Sequence, residues 1–162
     1  MPRLSTLTET NLNRQGFVNL DEEAKARYAL PLRFTPGVGT ALIVIGLVLQ
    51  SPIWLGSIAL VALSGALLPL PSGMVIDRVY NLGVRHLFRA PALPPTPKPR
   101  QFSYLLSTGL LAGSALCFYY GLAPLGFVLG GIVVIGGAIL TTTLWCLGSW
   151  FYRMIFGRAA AR

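Results

Sequence analysis

The chain has 162 residues, 54% of them hydrophobic and 11% charged, with a mean hydropathy of +0.65. Soluble domains carry roughly 25% charged residues, so this composition excludes a disordered chain and argues against an ordinary soluble domain. The length fits one domain. Two cysteines and one histidine are too few for a disulfide framework or a four-ligand zinc site.

Residues 1–33 read as a polar arm. Thr10, Asn11 or Asn13 can cap a short turn, and Asp21-Glu22-Glu23 ahead of Ala24 to Tyr28 marks a short helix with an acidic first turn. An arm of this kind is expected to be largely disordered on its own and to need a partner for order.

Four stretches without a charged residue follow: Phe34 to Gln50, Pro52 to Leu70, Phe102 to Gly121, and Pro124 to Trp150. Crossing the hydrocarbon core takes about 20 helical residues. The last two runs are ample, and the first two lie near the lower limit. A domain this small cannot bury all four inside itself. The expected fold is therefore all-α, a polytopic membrane protein with four transmembrane helices arranged as two hairpins over 34–73 and 101–150. Pro36, Gly37 and Gly39 punctuate the entry to the first span, with proline at a first helical position.

The turns set the orientation. Ser51 joins the first pair of spans and Leu122-Ala123 the second, both without charge, whereas all thirteen Lys and Arg fall on the other side. By the positive-inside rule, both termini and the central segment face the cytoplasm of a bacterial inner membrane. The net charge of +8 is then answered by anionic headgroups, and nucleic acid is not needed as a partner.

The central segment, 74–100, begins as an amphipathic helix. At 100° per residue Arg78, Asn81, Arg85 and Arg89 share one face, and Ile76, Val79, Tyr80, Gly83, Val84 and Leu87 the other. This suits a helix lying in the interface, with its cations toward headgroups. Trp145 and Trp150 read as an interfacial belt on the same side. Pro91, Pro94, Pro95, Pro97 and Pro99 then form an extended spacer, and residues 151–162 a basic tail.

Chemistry is sparse. Cys117 and Cys146 sit in consecutive antiparallel spans at depths about 28 Å apart at ~1.5 Å per residue, too far for a disulfide. Cys117 reads as a small packing residue. Cys146, near the cytoplasmic boundary and reachable from water beside cations, is the candidate reactive thiol. His86 on the basic helix reads as solvated, and Asp77 is expected to pair with Arg78 or Arg85. No metal site, catalytic set or cofactor emerges, and bound lipid or pigment stays open. No span carries an ionisable group, which disfavours a pump or coupled transporter. Gly109 and Gly113, then Gly126 and Gly130, form GxxxG pairs suited to close helix packing.

With four spans, a central basic segment and Cys146-Leu147-Gly148 closing the last span, the chain resembles a family of small bacterial membrane proteins catalogued as domain of unknown function 4395, over about Leu32 to Gly157. The resemblance implies a Cys-Leu-Gly-Cys-like motif, and Ser149 stands where its second cysteine would be, which puts dithiol chemistry in doubt. The functional expectation is a non-catalytic accessory or scaffold subunit of a larger inner-membrane complex, such as a photosynthetic or respiratory one. Its partners would be membrane lipids and other integral membrane subunits. The alternative is a thiol-based redox or sulfur-handling protein acting through Cys146.

Overall fold

The computed structural model describes residues 5–68, 74–87 and 90–157. Among these the fold is all-α. Its helices are α1 (Thr6–Arg14), α2 (Glu22–Ala29), α3 (Pro31–Val48), α4 (Pro52–Leu67), α5 (Val75–Val79), a π-helical turn (Tyr80–Val84), α6 (Arg85–Leu87), α7 (Lys98–Tyr119), α8 (Ala123–Thr143) and α9 (Leu147–Phe156).

Three helical stretches are long and apolar enough to cross a membrane: Glu22–Val48, Lys98–Tyr119 and Ala123–Thr143. Helix α4 is apolar but shorter, at 16 residues. The four pack in a ring, α3 on α4, α4 on α7, α7 on α8 and α8 back on α3. The interior holds Ile43, Leu47, Leu55, Ile58, Leu111 and Ala115. Outward-facing Val48, Leu60, Leu67, Leu116, Val128 and Ile135 are all more than half exposed, the surface of a protein that meets lipid.

Both turns of the bundle close alike. Ser51 N–H donates to Gly46 C=O at 3.1 Å and Leu122 N–H to Cys117 C=O at 2.7 Å, the six-to-one bond that ends a helix on a left-handed residue. That residue is Gly121 in one turn, at φ 75°, and Gln50 in the other, at φ 47°. Ser51 Oγ then accepts Trp54 N–H and caps α4.

The ends of the spans differ from the sequence reading. Helix α3 starts at Pro31, which takes the first-turn position, and Pro36 lies inside it. The fourth apolar run is two helices, because α8 stops at Thr143 and α9 starts at Leu147. Arg33 and Arg100 therefore lie within apolar helices, so charge does enter them.

The arm packs on the rest of the chain. Asp21 caps α2 by accepting Ala24 N–H at 2.7 Å, and Lys25, 5% exposed, reaches Glu9 at 3.5 Å. Leu12 and Phe17 join Leu32, Tyr80, Leu93 and Leu144 in a second apolar cluster. The proline-rich segment belongs to the same cap and is no free spacer. Leu93 is buried with its N–H on Asn81 Oδ1 at 2.8 Å, and a Cβ on Gly16 would lie 2.7 Å from Pro97 Cβ.

Candidate functional site

The break between α8 and α9 creates the site. Thr141, Thr142 and Thr143 return their hydroxyls to the carbonyls of Gly137, Ala138 and Ile139, a habit that weakens a helix end. Leu144 then adopts φ 55°, costing about 1 kcal/mol for a side chain with a Cβ. Two arm residues brace the turn, Asn11 Nδ2 donating to Thr143 C=O at 2.9 Å and Gln15 Nε2 to Leu144 C=O at 2.6 Å.

The chain re-enters a helix with Cys146 as its N-cap. Gly148 lets α9 lie flat on α7, since a Cβ there would meet the Ser103 Cα at 2.7 Å. Ser103 Oγ consequently sits 3.0 Å from Cys146 Sγ and 3.4 Å from Ser149 Oγ. It also donates to Pro99 C=O at 3.1 Å. A hydroxyl has one proton, so in this arrangement the thiol is the donor to Ser103.

One turn before Ser103 stands Arg100, 4% exposed. Its Nε donates to Tyr104 Oη at 3.1 Å, and its guanidinium lies 5.9 Å from the centre of that ring. Cys146 and Asp77 both lie within the electrostatic reach of Arg100. Asp77 is 3% exposed and accepts the Thr35 hydroxyl. A buried charge needs such partners, because burying it alone is costly. Thr35, Arg100, Ser103, Tyr104 and Cys146 line one end of a cavity of about 140 Å³ whose remaining walls are almost entirely apolar.

The thiol is thus not reachable from water as the sequence suggested: Cys146 is 7% exposed and faces this cavity. Cys117 is also buried, and both cysteines are free. His86 is exposed, with Nε2 3.3 Å from Arg85 Nε. Arg78 and Arg85 are half-buried on α5 and α6, and Arg89 lies outside the described residues. The expected apolar face of this segment divides. Ile76 and Tyr80 are buried, with α5 packed on α3 and α4, whereas Val79 and Leu87 are exposed. Burial pushes the Tyr80 phenol above its ordinary value, and Arg85 offsets part of that. Trp145 and Trp150 line a surface hollow with Arg14 and Arg153.

The small residues separate by position. A Cβ on Gly130 would lie 2.5 Å from Leu47 Cδ2, on Gly126 3.0 Å from Phe118, and on Gly113 3.2 Å from Leu129, while one on Gly109 meets nothing within 4 Å.

The model of a family described as a domain of unknown function, DUF4395, matches residues 30–156. The chain belongs to that family. The DUF4395 match takes in the bundle, the break and α9, and it leaves α1 outside. No curated protein and no solved structure matches the chain. In this DUF4395 chain the sequence reading singled out Cys146, expected Asp77 only to pair with Arg78 or Arg85, and missed Thr35, Arg100, Ser103 and Tyr104. One signal was available: Arg100 and Tyr104 are four residues apart at the mouth of an apolar run, which puts them on one helix face.

Proposed function

We propose that this DUF4395 protein is a multi-pass protein of the bacterial inner membrane that handles sulfur through one thiol, Cys146. The observation that carries the reading is Cys146 Sγ at the start of α9, 3.0 Å from Ser103 Oγ and in the field of a buried arginine. A substrate disulfide reaches Cys146 through the cavity, and as the thiol proton passes toward the leaving half Ser103 turns its own proton from Pro99 C=O to the sulfur. The thiolate attacks one sulfur of a substrate disulfide, the S–S bond breaks, and the other half departs as a thiolate that takes up a proton. A second thiol, from the substrate or a partner, resolves the mixed disulfide. Ser149 occupies the position from which a second cysteine would resolve it internally, so the protein works as a monothiol.

In this reading the chain crosses four times as two hairpins, α4 completing the set by bilayer thinning, with the basic cap and both termini in the cytoplasm. Membrane lipids are its surroundings. A variant lacking Cys117 and Cys146 tests the orientation: a cysteine at Ser51 is labelled from the periplasm and one at Lys98 from the cytoplasm, and reverse labelling refutes it. For the chemistry, membranes are treated with the small apolar disulfide dithiodipyridine and the intact mass is read. Wild type gains one thiopyridyl group, and C146S gains none. Equal modification of the two would overturn the thiol reading.

A second reading is favoured by Gly109 and Gly131, where a Cβ would meet nothing within 4 Å. These positions suit the close approach of a helix from another integral membrane subunit, making the protein an accessory or scaffold subunit of a larger complex. G109L and G131L would then lose a co-purifying subunit in mild detergent without losing stability. A lone monomer in that detergent would dismiss this role.

A further inference from the structure

Helices α7 and α8 touch near their turn and part below it. At the turn, Ser114 Oγ donates to Gly126 C=O at 2.7 Å. Toward the basic end α8 leans on α3, Gly137 meeting Thr40 and Gly37 meeting Thr141, while Tyr104 of α7 lies against Gly65 of α4. The gap is the cavity described above. Leu106 and Ile132 stand at its mouth, 39% and 45% exposed on the apolar exterior. Ile43, Ile58 and Leu111 form its inner wall, and Arg100 stands at its closed end. From Arg100 to Leu110 the slot runs about 15 Å at ~1.5 Å per residue. An apolar cavity of this size excludes water and accepts hydrocarbon.

The closed end carries a cation. Among the described residues no carboxylate lies within ion-pair distance of Arg100. The titratable groups around it are Asp77, Tyr104 and Cys146. Asp77 does not line the cavity, and its carboxylate is engaged by Thr35. A guanidinium fork at the end of a hydrocarbon slot matches a carboxylate bidentately. A cavity of about 140 Å³ takes only the carboxyl end and first methylenes of one chain, the rest passing between Leu106 and Ile132 into the bilayer, and the burial of Arg100 leaves room for a small head alone.

We propose that this cavity binds one free fatty acid, entering between α7 and α8 from the bilayer, with its carboxylate on Arg100 and its chain along the slot. The site shares its end of the cavity with Cys146, and binding does not require a reaction of that thiol.

The test uses the purified full chain in detergent with cis-parinaric acid as a fluorescent probe. Saturable binding is expected, displaced by palmitate and not by hexadecanol or lysophosphatidylcholine. Losing a charge-assisted hydrogen bond in R100L should weaken binding by about tenfold or more, with R100K retaining part of it. G136L fills the slot from a position where a Cβ meets nothing within 4 Å and should also lose binding, whereas outward-facing G109L should not. Cooperative melting of each variant certifies its fold. Displacement by the alcohol or the lysolipid as good as by the acid would overturn the proposal. So would unchanged binding in folded R100L and G136L.

Discussion

The turn end of the bundle and its basic end are built by different physics. At the turn end, two short turns of like geometry join helices whose contacts are mostly apolar, with Trp54 on Gly46 and Phe118 on Gly126, and the hydrogen bonds are largely those of the helices themselves. At the basic end, a broken helix, a buried arginine and aspartate, and three separate chain segments meet through side-chain hydrogen bonds to carbonyls. The first region tolerates exchange of one apolar residue for another. The second depends on individual atoms.

The largest break of that contrast should come from Gly148→Leu. The new side chain meets the α7 backbone at Ser103, and such overpacking costs about 3 kcal/mol. A lower melting temperature in detergent is expected, while Gly109→Leu, with open space around it, stays within about 0.5 kcal/mol of wild type. Next comes Thr35→Val, which keeps the shape but takes the hydroxyl from the buried Asp77 carboxylate. Leaving a buried acceptor unsatisfied costs about 2 kcal/mol, read by the same melt. Gln15→Ala removes the bond to the Leu144 carbonyl and should cost about 1 kcal/mol. Its signature is faster amide exchange at Trp145 and Trp150, with the amides of α4 unchanged. The smallest effect has the opposite sign. Gln50→Gly relieves a left-handed residue in an exposed turn and should stabilise by about 0.5 kcal/mol.

Legibility in the sequence follows the same division. Charge-free runs located all four bundle helices, because hydropathy alone decides which segments leave water. The tight turns at Ser51 and Leu122 were equally readable from proline and absent charge. The break at Leu144 was not, since every residue from Pro124 to Trp150 is uncharged; the run of three threonines was the one local hint. The site was half legible. Cys146 and Asp77 stood out by rarity, whereas Ser103 and Thr35 are ordinary residues whose roles arise from a neighbour 43 and 42 positions away. The docking of the arm was not legible, because Asn11 and Gln15 find their acceptors at the far end of the chain.

That last pairing has a consequence for biosynthesis. Asn11 and Gln15 leave the ribosome first, yet the carbonyls they serve belong to Thr143 and Leu144. The two bonds from α1 cannot form until α8 and its break have been made, so α1 can rest only on its near neighbours in sequence, such as Lys25 and Leu32, before then. Its final closure over Thr143 and Leu144 therefore reports that both ends of the bundle are in place.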